Sequence, residues 1–130
     1  MKKILIIDDD LTFQLTIGTK LKNCGYEVHT AMDGEVGLEQ ALKVHPDLIL
    51  LDIRMPKLDG LSMLKKLQED KEAGKQIPIF ITSNLSGLED ISEGVSLGIK
   101  GYIVKSEESL DTIVTAVNTA LGQKSEEEAG

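Results

Sequence analysis

The sequence predicts an α/β fold of (βα)5 form, a five-stranded parallel sheet with helices on both faces. Three observations predict it. Apolar runs alternate with helix-period segments five times along the chain, the pattern of a sheet built from crossover units. Three of these runs, ILII, LILL and IPIFI, are continuously apolar, as strands covered on both faces are. The other two differ: YEVHTA alternates and GYIVK is short, which suits sheet edges. Strands 1, 3 and 4 inside with 2 and 5 outside give the flavodoxin-like order 2-1-3-4-5.

The elements follow in turn. The first strand is Lys3–Ile7, and it runs straight into Asp8, Asp9 and Asp10. Asp10 caps the first helix. That helix ends near Cys24, where Gly25 can adopt the left-handed conformation. Cys24 reads as a small core residue. The second strand, Tyr26–Ala31, places Tyr26, Val28 and Thr30 on one side and Glu27, His29 and Ala31 on the other. Asp33 caps a helix over Gly34–Val44, the third strand is Leu48–Leu51, and Asp59 caps Gly60–Gln68. The fourth strand is Ile77–Thr82. The helix over Ser86–Leu97 is weak, because Gly87 and Gly94 each cost up to about 1 kcal/mol in a helix interior; it is the element most open to movement. After the fifth strand, Tyr102–Val104, Ser106 is placed to cap the last helix, with Glu107 and Glu108 in its first turn. Leu110, Ile113, Val114, Val117 and Leu121 form the apolar stripe of that helix. Residues 1–122 therefore read as one domain, and residues 123–130 as a disordered acidic tail or the start of a linker.

Composition limits the function. The 130 residues suffice for one domain and carry a net charge of −8, from 14 basic and 22 acidic residues. That balance argues against direct nucleic-acid binding, which needs a basic face. The single cysteine permits no internal disulfide and fits a reducing, cytoplasmic setting. The N-terminus, MKKILIIDDD, turns acidic too soon for a signal peptide, and no apolar run approaches the eighteen or so residues needed to span a membrane. His29, on the alternating strand, and His45, before Pro46, read as surface residues.

Chemistry is concentrated where the strands end. In a parallel α/β sheet, ligands sit beyond the carboxyl ends of the strands at the switch in strand order. Strand 1 brings Asp8, Asp9 and Asp10 there, strand 3 Asp52, strand 4 Thr82 and Ser83, and strand 5 Lys105. Neighbouring strands lie about 4.8 Å apart, so Asp52 is expected within a few ångströms of Asp8 and Asp9. Such repulsion is relieved by protons or a cation. An all-oxygen donor set without histidine or cysteine favours Mg2+. Three carboxylates, a divalent cation and the Lys105 ammonium sum to zero charge, which leaves the pocket ready for an anion. A hydroxyl at Thr82 is placed to hydrogen-bond that anion. A carboxylate facing a phosphoryl donor can itself be the nucleophile.

The segments IDDD, LLDIRMPKLDG, IPIFITS and GYIVKS, in this order and spacing, resemble response-regulator receiver domains, the phosphoacceptor modules of two-component signalling. The resemblance covers about residues 2–122. It implies that Asp52 is phosphorylated from a phosphohistidine on a sensor histidine kinase or phosphotransfer protein. It further implies that Asp9 ligates Mg2+ directly with Asp8 acting directly or through water, that Asp52 and the Arg54 backbone carbonyl are further ligands, and that Lys105 contacts the phosphoryl group. Thr82 would turn inward and Tyr102 follow as an aromatic switch. The Ser86–Leu97 helix, the fifth strand and the last helix would then present a changed surface to a downstream protein. The protein is expected to be a monomer when unphosphorylated, with dimerisation on activation left open. Pro56 and Gly60 match the loop entering the third helix, and Arg54 and Asn84 fall at variable positions that set the rate of phosphoryl loss. Two departures stand out: Ser106 replaces the usual proline after the lysine, and Ser83 replaces the commoner alanine.

Two alternatives are carried. DDDLT also fits the D-x-D-x-T signature of haloacid-dehalogenase-like phosphatases, with Asp8 as nucleophile and Asp10 as general acid. Against it, GYIVKS lacks a further acidic pair and Asp52 is left without a role. The second alternative is an unphosphorylated binding module on the same fold.

Overall fold

The computed structural model describes residues 1–53, 59–70, 77–83, 92, 94–105 and 108–122. Its elements run β1 (Lys3–Ile7), α1 (Leu11–Asn23), β2 (Glu27–Ala31), α2 (Gly34–Val44), β3 (Leu48–Asp52), α3 (Gly60–Glu69), β4 (Ile79–Ser83), β5 (Gly101–Val104) and a C-terminal helix, Leu110–Ala120. Residue 92 and residues 94–96 are helical as well. The strands pair in parallel in the order β2-β1-β3-β4-β5, as the apolar patterning predicts. Every residue of β3 and β4 is buried, whereas β2 is largely exposed or half-buried. On that open edge, His29 Nε2 meets Glu27 Oε2 at 2.7 Å.

Side-chain alternation divides the interior into two layers. Ile4, Ile6, Leu48, Leu50, Phe80 and Ile103 face one way and pack with Phe13 and Ile17 of α1 and Ile113 and Val117 of the C-terminal helix. Leu5, Ile7, Ile49, Leu51 and Ile79 face the other way, against Ala41 of α2 and Met63, Leu64 and Leu67 of α3. Burying each such side chain stabilises the fold by about 1.5–3 kcal/mol, so both layers lock the register. A one-residue slip would turn every one of these residues to the wrong face.

Helix starts are set by side-chain caps. Asp10, Asp33 and Asp59 accept from the amides of Phe13, Val36 and Ser62 at 3.2, 2.9 and 2.9 Å, each satisfying an amide the helix cannot pair. Gly25 follows α1 at φ 95°, the conformation expected of it. The last helix differs from expectation. Ser106 and Glu107 lie outside the described residues, and the cap is Ser109, whose hydroxyl accepts from Thr112 N–H at 3.1 Å. The apolar stripe of that helix is as predicted, with Ile113 and Val117 buried and Leu110, Val114 and Leu121 packed around them.

Some strand ends shift. Tyr26 precedes β2; it buries its ring in the first layer and donates its hydroxyl proton to Asn118 Oδ1 of the C-terminal helix. Ile77 and Pro78 precede β4, which extends to Ser83, while β3 reaches Asp52 and β5 begins at Gly101. Gly94, read from sequence as a weak point, is a contact point: a Cβ there would lie 2.7 Å from Ile81 Cδ1. Gly87 and most of the Ser86–Leu97 segment lie outside the described residues, as does the 123–130 tail. Among the described residues, no helix is long and apolar enough to cross a membrane.

Candidate functional site

Strand register assembles the site. β3 and β4 align Asp52 with Thr82, and Thr82 with Ile103 of β5. One step past the Ile7–Leu51 pair, Asp8 comes beside Asp52. By strand alternation, Asp8, Asp52 and Thr82 continue the rows of Ile6, Leu50 and Phe80, all members of the layer under α1 and the C-terminal helix. Lys105 lies just beyond β5, where its amide donates to Ser83 O at 2.7 Å. These residues are thus delivered to one end of one face of the sheet.

Carboxylate oxygens of Asp8, Asp9 and Asp52 all lie within 4.8 Å of one another, as predicted. Asp8 is fully buried and Asp52 is 6% exposed, while Asp9 is open to solvent. The Asp8 carboxylate accepts the Asp10 amide through Oδ1 at 2.8 Å and pairs with Lys105 Nζ through Oδ2. Lys105 Nζ is also 3.9 Å from Asp52 Oδ2. Burial pushes the Asp8 carboxyl above the ordinary carboxylate range, and the Lys105 ammonium only partly offsets this. The Thr82 hydroxyl is fully buried and, among the described residues, has no hydrogen-bond partner.

The supporting structure is equally specific. Gln14, buried on α1, donates from Nε2 to Asp8 O at 2.8 Å and to Ala31 O at 2.7 Å. Ala31 O also accepts Asp8 N–H at 3.0 Å. This knot fixes the exits of β1 and β2 and therefore the direction in which Asp8 and Asp9 leave the sheet. Gly60 opens α3 directly against the end of β3. A Cβ at Gly60 would sit 2.3 Å from Asp52 O and 2.7 Å from Ile53 Cα, so only glycine permits this approach. Gln14 was missed by the sequence reading, because a lone glutamine in an amphipathic helix gives no signal of the carbonyls it will meet. The sequence places Gly60 at the start of the third helix and in the loop motif, but carries no signal of its approach to the β3 backbone.

Of the remaining sequence expectations, Tyr102 is half-buried on β5 beside Ile81. Arg54, Pro56, Asn84 and the Lys105–Ser106 bond involve residues outside those described. Asp10 uses its carboxylate to cap α1, which takes from the phosphatase alternative the residue it needs as general acid.

The donor set suits a hard divalent cation. Three clustered carboxylates with no nitrogen or sulfur ligand among the described residues match Mg2+, and the Thr82 hydroxyl next to Asp52, without a partner among the described residues, offers a hydrogen bond to an oxyanion.

Comparison with known proteins agrees with this fold. The family model described as "Response regulator receiver domain" matches residues 4–118. A probable transcriptional regulator ycf27 of Cyanophora paradoxa is 39% identical over 104 residues, which is 80% of this chain and 42% of that protein. The chain thus spans less than half the length of that curated relative. The structure of the Vibrio cholerae chemotaxis protein CheY4 matches with a TM-score of 0.84 at 28% identity, over 92% of this chain and 98% of that one. The receiver domain of Francisella response regulator 1452 matches with a TM-score of 0.83 at 32% identity, over 94% of this chain and 98% of that one.

Proposed function

Because this chain belongs to the family of response regulator receiver domains of two-component signalling, we propose that Asp52 is its phosphoryl acceptor. The observation that carries the reading is the meeting of Asp52 with two further carboxylates and a buried lysine. An Asp52 carboxylate oxygen attacks the phosphorus of a phosphohistidine. The new O–P bond forms as the P–N bond breaks, and the electron pair stays on the imidazole nitrogen, which takes a proton from solvent. Lys105 neutralises charge that gathers on the phosphoryl oxygens, and Thr82 donates its hydroxyl proton to one of them. Positioning and charge neutralisation are the main sources of rate in such a transfer.

Asp8, Asp9 and Asp52, with the Arg54 backbone carbonyl, would hold Mg2+. When bound, it supplies charge neutralisation between the carboxylates and the phosphoryl oxygens. As a receiver, the domain is a signalling module; self-phosphorylation and autodephosphorylation are the only turnover we assign to it. The donor is a sensor histidine kinase or phosphotransfer protein in the cytoplasm. The output is a protein target that reads the surface formed by the Ser86–Leu97 segment, β5 and the C-terminal helix, with Thr82 and Tyr102 as the switch.

Incubation with Mg2+ and acetyl phosphate tests the assignment. Intact mass should rise by one phosphoryl group, and the gain should vanish in Asp52→Asn. No labelling of the wild type by a competent donor would count for the unphosphorylated-module alternative.

A further inference from the structure

We propose that Phe13 is a positioning residue for Lys105, its ring face seating the ammonium within reach of Asp52. The inference rests on the role given to Lys105 above. Lys105 Nζ lies 4.6 Å from the centroid of the Phe13 ring. The Lys105 side chain is 7% exposed and Phe13 is 8% exposed, so both are largely screened from water. A cation over an aromatic face is attracted by the ring quadrupole, more strongly once it is desolvated. Phe13 is firmly held. Its amide is taken by the Asp10 cap and its ring is part of the layer that contains Ile17, Ile103 and Ile113.

The site needs such a seat. Lysine carries its charge on a flexible four-carbon stem, and the anions beside Nζ have other work. Asp8, which pairs with it, is also one of three carboxylates clustered closely enough to share a cation. When Asp8 is engaged that way, its hold on Lys105 weakens. The neutral ring does not enter that competition. It keeps the ammonium beside Asp52 whichever carboxylate is engaged. A leucine would fill most of the same core space and offer no complement to the charge. In the sequence, Phe13 is indistinguishable from an ordinary core position of α1.

The test replaces Phe13 in the full chain with mono-, di- and trifluorophenylalanine, which drain negative charge from the ring face with little change in volume. The rate of Asp52 labelling by acetyl phosphate at saturating Mg2+ should fall stepwise, by about tenfold across the series. Phe13→Leu should fall at least as far. A second readout is independent of phosphorylation: the Lys105 ε-methylene protons should resonate upfield of those of the other lysines through the ring current, and lose that displacement in Phe13→Leu. A flat rate across the series, with the wild type labelled, reduces Phe13 to packing and overturns the proposal. Unshifted ε-methylene protons in the wild type overturn it whatever the rates. Shifted protons in a wild type that takes no label support the seat and overturn the phosphoryl reading instead.

Discussion

Replacing Thr82 with valine should stabilise the resting protein while impairing its site. Thr82 is fully buried in the all-buried strand β4, and its hydroxyl has no partner among the described residues. A buried hydroxyl without a hydrogen bond costs about 1–3 kcal/mol on the scale of protein mutations. Valine keeps the β-branched shape that β4 favours and removes that cost. The expected gain is about 1–2 kcal/mol. In a domain of this size 1 kcal/mol moves Tm by roughly 3–5 °C, so thermal unfolding without Mg2+ should shift upward by about 3–10 °C. The urea midpoint should rise with an unchanged slope. In the presence of Mg2+ and a phosphate mimic the sign reverses. A hydrogen bond to a charged group contributes about 1.5–3 kcal/mol, so affinity for the mimic should fall at least tenfold. Destabilisation of the resting protein by 1 kcal/mol or more would mean that the hydroxyl is bonded in solution, and the reasoning would fail.

Four more outcomes are expected. Gly60→Ala should destabilise by about 3 kcal/mol, the upper end for overpacking, because its Cβ would meet the Asp52 and Ile53 backbone, which no rotamer change can relieve; urea unfolding reads this directly. Gln14→Met leaves Asp8 O without its amide partner and should cost about 1–3 kcal/mol, with faster hydrogen exchange at the ends of β1 and β2. Saturating Mg2+ should raise Tm, since a ligand present at a hundredfold its Kd contributes about 2.7 kcal/mol; Asp52→Asn should abolish most of that rise. Protons compete for the same carboxylates, and burial raises the Asp8 pKa above its ordinary 3.8. The Mg2+ effect should therefore be full well above that raised value and fade as pH falls through it, at a higher pH than an exposed aspartate would give. Calorimetry across pH 4–7 checks the direction.

The chain's periodicities determined the fold. Continuous apolar runs marked β1, β3 and β4 as interior, alternation marked β2 as an edge, and aspartates before apolar stripes marked three helix starts. These are local signals, and each residue carries its own part of them. The convergence of Asp8, Asp9, Asp52 and Lys105 was legible for the same reason: strand order places the ends of strands 1 and 3 side by side, and residues at strand ends inherit that neighbourhood. The tertiary structure alone decided which oxygen of Asp8 takes Lys105, that the Thr82 hydroxyl has no partner among the described residues, and that Gln14, Phe13 and Gly60 support the site from α1 and α3. It also moved the last cap to Ser109 and drew Tyr26 out of its strand to bond Asn118. Such contacts join residues far apart in the chain, 92 positions for Tyr26 and Asn118. They depend on angles and separations set when helices dock on the sheet, and no spacing along one chain segment encodes those.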